Sequence, residues 1–429
     1  MDKKASLSKR LLWLVLSYLL FIIIYNSSAW YAFYFQKSDS FVFHFEKNIP
    51  FLEWMIVPYM TSGLLFTLVF FFCSTQKDLM LLTKRINFTT IVSGLFFFLF
   101  PLKYSFIKPQ AASNFLNLFF QFLTTWDSNY NQAPSLHIGY AVIFWSVITK
   151  EFKNPKLRLM LQIWILLLCI STLTVYQHHF IDIITALLLS CITFFIFPDN
   201  TERNYKIGLV YSFFSLLFLT AALLIYQYIS HYGLLLLWIS IAVFLVGTAY
   251  TNSNSKFLKR EDGSISFFKK IFYFPYLITY KILWLFCRKN RKNPITEILP
   301  QIFIGAKLNA KQAASFINEQ TYIIDLCAEA EEIGYIRHQS NYFSKPLLDI
   351  GSIKQEELET LLNLLTRLHT EIKPGEKIFI HCLMGYSRSV FITVFFLKRI
   401  LNIELEEAIP IVTKKHLQSI FPKYLLNSN

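Results

Sequence analysis

A cysteine and an arginine six positions apart form the pattern in this sequence that is best suited to chemistry on phosphorus. Cys382 follows the apolar run 377–381, and Arg388 opens a second apolar run. A strand, a tight loop and a helix start point successive backbone N–H groups at one place, which predicts a site for a dianionic phosphate. The positive end of the helix favours the thiolate of Cys382, so its sulfur can attack phosphorus at neutral pH.

The residues after Cys382 predict how such a phosphate is held. Arg388 offers a planar fork that binds two phosphate oxygens together. Gly385 and Ser387 belong to the phosphate-binding loop, and Ser389 is placed to help the thiolate leave a phosphocysteine intermediate. The alternative is a buried structural cysteine before a helix, but His-Cys-x5-Arg-Ser after an apolar strand is far more specific than a lone cysteine.

This region resembles the dual-specificity branch of the protein tyrosine phosphatases over about residues 298–425. Residues 299–310 look like the family's opening strand and turn, and Pro346-Leu-Leu-Asp349 looks like the strand-to-loop segment that bears its general acid. The resemblance implies that Asp349, which precedes Cys382 by 33 positions, protonates the leaving oxygen and then activates water. The alternative role for this carboxylate is to cap a loop.

Two groups of polar residues stand beside apolar segments, where such side chains need a reason. His137 follows Pro134-Ser135-Leu136 at the start of one segment, and His178-His179-Phe-Ile-Asp182 lies between two others. Because His178 and Asp182 are four positions apart, they share a face at the start of a helix, and the carboxylate can fix one imidazole tautomer. We expect His178 to attack phosphorus and His137 to protonate the departing oxygen. The alternative is that both histidines only bind backbone groups at a membrane interface.

These residues resemble the second and third signatures of the type 2 phosphatidic acid phosphatase superfamily, over about residues 11–198. The Pro-Ser-Leu-His segment is similar to the branch that contains inositol phosphorylceramide synthase and related lipid headgroup transferases. The resemblance implies that His178 forms a phosphohistidine, that Asp182 orients it, that His137 is the acid and that Ser135 contacts the phosphate.

The sequence departs from that superfamily pattern at its basic residues. Thr172 stands where many members carry a phosphate-binding Arg, and the signature Lys-x6-Arg-Pro is absent. Lys103 and Lys108 are the candidate replacement phosphate ligands, because they are the only basic residues in their loop. These departures weaken a simple phosphatase more than a headgroup transferase.

The composition places both groups of residues in a membrane protein. Of 429 residues, 54% are hydrophobic and only 16% are charged, which is too apolar for an ordinary soluble chain. We expect a multi-pass α-helical domain of about eight spans, in which a six-helix lipid phosphatase-like core precedes two more helices. The apolar stretches are 11–25, 55–73, 88–101, 138–149, 159–175, 183–197, 207–229 and 234–250. A cleaved signal ending at Ser27-Ser28-Ala29 is the alternative to an uncleaved first helix.

The charges between these stretches predict the orientation of the helices. With a cytoplasmic N-terminus, the inward connections carry 18 Lys and Arg, and the outward ones carry four, namely Lys37, Lys47, Lys103 and Lys108. By the positive-inside rule, the histidine group lies at the outer, extracytoplasmic or lumenal, face, and the cysteine loop lies in the cytoplasm. The formal charge of +14 resides before residue 293, because residues 293–429 hold 14 basic and 15 acidic side chains. This excess reflects topology and lipid contact, which excludes nucleic acid as a partner.

Residues 251–295 are predicted to form a basic interfacial linker. The apolar segment 271–287 contains Pro275 and Lys281 and lies between basic clusters, as expected of a helix in the cytoplasmic membrane surface. The alternative is a ninth span, which would place the rest of the chain outside.

From about residue 296 the chain is predicted to form a soluble α/β cysteine-phosphatase domain. Short apolar runs at 302–304, 322–326 and 377–381 predict buried strands, and segments 355–370, 388–401 and 406–416 predict helices. The predicted organisation is a phosphatidic acid phosphatase-like membrane domain at 1–198, two further transmembrane helices at 199–250, the linker at 251–295 and the soluble domain at 296–429.

The sequence thus predicts a membrane enzyme with two phosphoryl-transfer sites. The main hypothesis joins an outer-face lipid phosphatase or headgroup transferase, acting on phospholipid or sphingolipid phosphate, to a cytoplasmic phosphomonoesterase for lipid or phosphoprotein. The alternatives are a membrane-anchored protein phosphatase whose helices only tether or sense lipid, and a scaffold with two inactive sites. No metal or other cofactor is expected, because cysteine and histidine nucleophiles with Arg or Lys supply the chemistry. Six scattered cysteines without C-x-x-C spacing argue against a disulfide framework or zinc site.

Overall fold

A computed structural model describes residues 3–35, 39–289 and 293–422 of the chain. Lys37, counted above among the outward charges, the basic run 290–292 of the linker and residues 423–429 of the soluble domain lie outside the described residues. The chain divides into two compact packing units, one formed by residues 1–199 and 216–237, the other by residues 200–215 and 238–429.

The first unit is helical, and every apolar stretch predicted within residues 1–199 lies in a helix. Its helices are α1 (Leu7–Phe35), α2 (Ile56–Phe72), α3 (Gln76–Leu99), α4 (Asn114–Trp126), α5 (Leu136–Glu151), α6 (Pro155–Thr174) and α7 (Phe180–Ile196). Helix α4 was not predicted, because asparagine and glutamine interrupt its apolar residues. Its residues at helical spacing nevertheless pack on a buried cluster around Met55 and Tyr59; they are Leu116, Phe119, Phe120 and Leu123.

Five helices in the described chain are long and apolar enough to cross a membrane. They are Leu7–Phe35, Glu53–Phe72, Pro155–Thr174, Arg203–Tyr228 and Gly233–Thr251. The predicted count of about eight spans is therefore not confirmed, although all eight predicted stretches are helical. Helix α7 is apolar but has only 17 residues.

Helix α3 is less apolar because its first turns carry four charged residues. One of them, Arg85, is 2% exposed and donates from Nε to the carbonyl of Phe197 at 2.9 Å. Its Nη1 lies 2.9 Å from a carboxylate oxygen of Asp199. The charge of Arg85 is therefore neutralised within the packing unit, as an ionised group among apolar helices requires.

Helices α8 (Arg203–Tyr228) and α9 (Gly233–Thr251) follow, and each contributes residues to both packing units. In the second unit, Ser215 and Ser240 hold them together by a reciprocal pair of hydrogen bonds. The hydroxyl of Ser215 donates to the Ser240 carbonyl at 2.9 Å, and the hydroxyl of Ser240 donates to the Ser215 carbonyl at 2.8 Å. Each buried hydroxyl thus has a hydrogen-bond partner within the protein.

The linker segment predicted as one helix at 271–287 forms two helices, α10 (Phe267–Phe272) and α11 (Phe274–Lys289). Neither is among the five helices that are long and apolar enough to span a membrane. Both leave large aromatic side chains exposed, with Phe267 at 70%, Phe268 at 80% and Phe286 at 65% of their surface. Basic residues end both helices; they are Lys269, Lys270, Arg288 and Lys289.

The rest of the second unit is an α/β domain built on one mixed sheet. Its strands are β1 (Ile295–Leu299), β2 (Ile302–Ala306), β3 (Thr321–Cys327), β4 (Tyr342–Leu347) and β5 (Lys377–Cys382). They lie in the order β1-β2-β5-β3-β4, with β1 antiparallel to β2 and the other pairs parallel. Because β5 is central, its carboxyl end opens at the middle of the sheet, where ligands bind in α/β proteins.

The predicted strands β2, β3 and β5 are confirmed. Strand β1 was not predicted, and only the end of β4 falls in the strand-to-loop segment that the resemblance indicated at 346–349. Both are edge strands, and β4 contains Lys345 and Pro346, residues that proteins place at sheet edges. The helices are α12 (Ala310–Phe316), α13 (Gly334–Arg337), α14 (Gln355–Glu371), α15 (Arg388–Leu401) and α16 (Leu405–Lys415). Helices α14 to α16 agree with the prediction, and α14 and α15 bury their leucine and phenylalanine faces in the main core.

Candidate active sites

The cysteine loop lies between the central strand and a helix, as predicted. Strand β5 ends at Cys382, and α15 begins at Arg388. Cys382 is 1% exposed, and its Sγ accepts a hydrogen bond from the N–H of Gly385 at 3.2 Å. Gly385 has a φ of +67°, a conformation that favours glycine, and this turn aims its N–H at the sulfur. Ser389 Oγ lies 3.6 Å from Cys382 Sγ, so the hydroxyl is placed to stabilise the sulfur anion.

Arg388 is held by a glutamate that sequence reasoning missed. Both terminal nitrogens of Arg388 donate to the carboxylate of Glu329, one of them at 2.8 Å, and Nη1 also donates to the Leu347 carbonyl at 3.0 Å. Burial opposes its charge, but Glu329 and Asp349 hold the pKa of Arg388 well above its usual value. Its Nε is buried with no partner in the described chain. That donor remains available to a phosphate oxygen.

Asp349 is joined to the cysteine loop through Arg388. It lies just after β4, and its Oδ1 is 3.3 Å from Nη2 of Arg388. The side chain is 23% exposed, so it can reach both a bound substrate and water. The four residues predicted to perform this chemistry are thus assembled around the end of β5; they are Cys382, Arg388, Asp349 and Ser389.

A layer of buried charges lies beneath the loop. Lys259, which comes from the linker, places its Nζ 2.6 Å from Oδ2 of Asp325, and both side chains are fully buried. Burial opposes ionisation of Asp325, but Lys259 and His381 hold the pKa of its carboxyl below the usual value. Burial lowers the pKa of His381, whose Nε2 lies 3.7 Å from Oε2 of Glu332.

Part of this layer has the composition of a metal site. Ligand atoms of Asp325, Cys327 and His381 all lie within 4.8 Å of one another. The ammonium of Lys259 already pairs with Asp325, and the N–H of Cys327 donates to Asp325 Oδ1 at 2.8 Å. Because the lysine supplies the positive charge that the carboxylate needs, we assign the group to the packing of the loop.

The histidine group forms a connected cluster in the first unit. Nδ1 of His178 lies 3.2 Å from Oδ2 of Asp182, and Nε2 of His178 lies 3.4 Å from Nδ1 of His137. His178 and Asp182 are 6% and 1% exposed, respectively. Asp182 also accepts a hydrogen bond from the N–H of His179 at 2.8 Å, which fixes the carboxylate at the start of α7. The sequence-predicted triad is therefore brought together.

A cavity of about 410 Å³ adjoins the two histidines. His137 and His178 line it, together with apolar and aromatic side chains such as Phe66 and Leu168. Ser135 lies at the start of α5, 1% exposed, and its N–H donates to the Asp182 carbonyl at 3.1 Å. The Ser135 hydroxyl has no partner in the described chain, which leaves it available to a phosphate oxygen.

The structure does not bring Lys103 and Lys108 to that cavity. Among the described residues, neither lysine lines it. The Lys103 Nζ lies 5.7 Å from the Tyr130 ring, and the Lys108 Nζ lies 5.9 Å from the Tyr104 ring. Thr172 is fully buried, and its carbonyl accepts hydrogen bonds from the N–H groups of Gln177 and His178, at 3.1 and 3.0 Å respectively. Thr172 thus shapes the turn that carries His178.

Two carboxylates next to the histidine cluster were missed as site residues. Glu46, 2% exposed, lies 3.0 Å from Nδ1 of His179 and accepts from the N–H of Phe180 at the same distance. Asp127 lines the cavity and accepts hydrogen bonds from the hydroxyls of Tyr25 and, at 2.8 Å, Tyr59. These contacts link segments that are far apart in the chain, so no local sequence pattern predicts them.

Two protein-family models match the chain. The PAP2 superfamily matches residues 83–206, a range that holds His137, His178 and Asp182. The dual specificity phosphatase catalytic domain matches residues 302–427, a range that holds Cys382 and Arg388.

Individual relatives and solved structures each match about a quarter to a third of the chain. Protein 067L of Invertebrate iridescent virus 3, named as a tyrosine phosphatase, is 32% identical over 100 residues, which are 23% of this chain. The chain spans 42% of the length of that relative. Among solved structures, Tk-PTP in its active form gives a TM-score of 0.28 at 17% identity, covering 32% of this chain and 93% of that one. Human DUSP28 gives a TM-score of 0.27 at 14% identity, covering 32% and 90%.

Proposed function

Since this chain joins a PAP2 superfamily domain to a dual-specificity phosphatase catalytic domain, we propose that it is a bifunctional membrane enzyme with two phosphoryl-transfer sites. One site uses a phosphohistidine and acts on a lipid phosphate. The other uses a phosphocysteine and hydrolyses a phosphomonoester on lipid or protein. The observation that carries the proposal is that each domain holds a nucleophile together with an acid. His178 lies 3.4 Å from His137, and Asp349 lies 3.3 Å from Arg388 of the loop that begins at Cys382.

At the histidine site, Nε2 of His178 attacks the phosphorus of a lipid phosphate, and the bond to the leaving oxygen breaks. Asp182 keeps the proton on Nδ1 of His178, so that Nε2 carries the attacking lone pair. His137 gives its proton to the leaving oxygen. Water or an acceptor hydroxyl then attacks the phosphohistidine, the nitrogen–phosphorus bond breaks, and the attacking oxygen gives its proton to His137. Attack by water makes the site a phosphatase, and attack by an acceptor hydroxyl makes it a headgroup transferase. The apolar cavity beside both histidines supports a substrate with acyl or sphingoid chains.

At the cysteine site, the thiolate of Cys382 attacks phosphorus while Asp349 protonates the leaving oxygen. Arg388 and the loop N–H groups bind the equatorial phosphate oxygens. Water then cleaves the sulfur–phosphorus bond, with Asp349 as the base, and releases phosphate. Glu329 supports this assignment, because it fixes the guanidinium from behind and leaves Nε for the substrate.

The proposed setting is a membrane with the N-terminus and the cysteine domain in the cytoplasm and the histidine site at the outer face. The five span-length apolar helices support membrane insertion. The exposed phenylalanines and basic ends of α10 and α11 support contact of these helices with an anionic lipid surface. A reporter fused after Asn429 tests the orientation, and an extracytoplasmic reporter would overturn it.

A membrane-anchored protein phosphatase is the second candidate. In this case the first unit would tether the chain or sense lipid, and only Cys382 would turn over substrate. Thr172 favours it, because the residue that replaces the superfamily arginine is fully buried and its hydroxyl donates to the Cys169 carbonyl at 2.7 Å.

Purified full-length protein in lipid vesicles separates the two candidates. His178→Ala removes conversion of lipid phosphate at the histidine site in a bifunctional enzyme, while Cys382→Ser leaves that conversion intact. The bifunctional proposal fails if His178→Ala leaves all lipid conversion intact and Cys382→Ser abolishes all turnover. His231→Ala is the matched control, because His231 is exposed and belongs to neither site.

A further inference from the structure

The loop that carries Asp349 is bound by residues outside the α/β domain. At the start of α8, Oδ1 of Asn204 accepts from the N–H of Ser352 at 2.7 Å, and Nδ2 of Asn204 donates to the Ser352 carbonyl at 3.0 Å. The neighbouring Arg203 donates from Nε to the carbonyl of Ile350 at 2.5 Å. All these residues belong to the second packing unit. Within this unit, α8 binds the loop through the loop's backbone groups.

Two tyrosines clamp Asp349 itself. At the end of α9, the Tyr250 hydroxyl donates to the Asp349 carbonyl at 2.8 Å. From α11, the Tyr280 hydroxyl donates to Oδ2 of Asp349 at 3.2 Å. Because Oδ1 of Asp349 lies 3.3 Å from Arg388, the carboxylate is held between the helix and the cysteine loop. Leu348 packs beside Tyr250 in one buried apolar cluster, which fixes the start of the loop.

The backbone of this loop needs such external support. Ile350 has a φ of +51°, which a β-branched residue adopts at a cost. Gly351 is pressed against α8, because a Cβ on this glycine would lie 2.4 Å from Oδ1 of Asn204. Asn204 is itself 2% exposed. The hydrogen bonds from α8 and α9 therefore stabilise a loop conformation that its own sequence disfavours.

We propose that Asn204 and Tyr250 are positioning residues that hold Asp349 in place to protonate the leaving group at the cysteine site. The proposal rests on the proposed role of Asp349 as general acid. In the first step the sulfur–phosphorus bond forms, the phosphorus–oxygen ester bond breaks and the proton of Asp349 passes to the leaving oxygen. The first turn of α8 and the last turn of α9, two helices predicted to cross the membrane, thus position the acid of the cysteine domain.

Leaving-group dependence tests this inference, because general acid catalysis matters most for a poor leaving group. The assay uses full-length protein in His178→Ala background, with 4-nitrophenyl phosphate as the activated substrate and a short-chain alkyl phosphate as the poor one. Asn204→Ala should lower kcat/KM for the alkyl phosphate by about 10²-fold, the lower end of general acid effects. The loss for the aryl phosphate should be much smaller, and the basic limb of the pH profile should flatten.

Two variants keep the result interpretable. Tyr250→Phe removes only one hydroxyl and should show the same selectivity even if Asn204→Ala folds poorly. Asn252→Ala is the matched control, since Asn252 is exposed at the end of α9 and donates only within that helix, to the Thr248 carbonyl. It should leave both substrates unchanged.

Asp349→Asn separates the inference from its premise. If Asp349→Asn loses alkyl phosphate turnover selectively but Asn204→Ala and Tyr250→Phe lose both substrates equally or neither, positioning by α8 and α9 is wrong. If Asp349→Asn itself lowers both substrates equally, the assignment of Asp349 as general acid is wrong, and the inference falls with it. Selective loss in all three variants, with no further selective loss when Asn204→Ala is added to Asp349→Asn, supports the inference.

Discussion

Nε2 of His178 lies 3.4 Å from Nδ1 of His137, although 41 positions separate the two residues in the chain. With a proton held on Nδ1 of His178 by Asp182, Nε2 of His178 is an acceptor, and the proton between the two rings belongs to His137. In the proposed reaction, the bound phosphate replaces this hydrogen bond, so that the lone pair of His178 faces phosphorus and the proton of His137 faces the leaving oxygen.

Asp182→Asn should remove the interaction that fixes the tautomer of His178 without changing the shape of the site. The amide keeps the volume of the side chain but not the charge that holds the proton on Nδ1 of His178. We expect kcat for lipid phosphate to fall on the order of 10⁴-fold, as in other triads that lose this carboxylate, with little change in KM. Asp39→Asn, at an exposed aspartate, is the control. Retention of more than half the activity in Asp182→Asn would contradict the proposed role.

Ser135→Ala tests whether the buried hydroxyl serves a ligand. Because the hydroxyl has no partner in the described chain, its removal should change the free energy of unfolding by less than about 1 kcal/mol. If the hydroxyl binds a charged phosphate oxygen, KM for lipid phosphate should rise by about tenfold. Ser190→Ala is the matched control, since the Ser190 hydroxyl donates within α7 to the Ala186 carbonyl. A stability loss without a change in KM would assign Ser135 to packing.

The pH dependence of Lys108 offers a third test. Burial, partly offset by Asp127, lowers the pKa of Lys108 from 10.5 to about 8. The ammonium is therefore present below pH 8 and lost as the pH rises through that value. Because Lys108 does not line the histidine cavity, we expect the affinity for lipid phosphate to have the same pH dependence in the wild type and in Lys108→Arg, whose guanidinium stays charged. A fall in affinity above pH 8 in the wild type alone would make Lys108 a phosphate ligand, and Lys47→Arg is the control.

Lys259→Met should destabilise the second packing unit. The substitution leaves Asp325 buried without its ammonium, which costs about 3–5 kcal/mol when one partner of a buried pair is removed. Lys259→Met combined with Asp325→Asn should recover much of this loss, because no unpaired charge remains. Urea midpoints of the cysteine-site activity measure the cycle, with exposed Lys256→Met as the control. Additive effects of the two substitutions would contradict the direct pairing.

The parts of the structure that follow local patterns were predictable from the sequence. These parts are the cysteine loop, the turn from His178 to Asp182 and the three buried strands. Each depends on residues that are neighbours in the chain, so the local residue types predict it. The orienting partners that come from distant segments of the chain were not predictable. Glu329 belongs to an acidic segment that resembles a surface loop, yet it lies buried against Arg388.

Edge strand β1, most of edge strand β4 and the amphipathic helix α4 were missed for a related reason. Strand β4 is half-exposed and includes Lys345, so it lacks the continuous apolar run of a central strand. Helix α4 alternates apolar and amide residues, and only its packing against Tyr59 shows which face is buried. Lys259 was assigned to a basic linker, because charge alone does not reveal that its ammonium faces a carboxylate inside the sheet.

The buried position of Lys259 also bears on how such a chain could arise by gene fusion. The change in composition near residue 296 is where a recombination event would be drawn from sequence. A phosphatase cassette transplanted at that point would leave Lys259 behind, and its Asp325 would arrive without a counterion. An exchange of the soluble domain between membrane anchors that keeps this buried ion pair would therefore have to include residue 259.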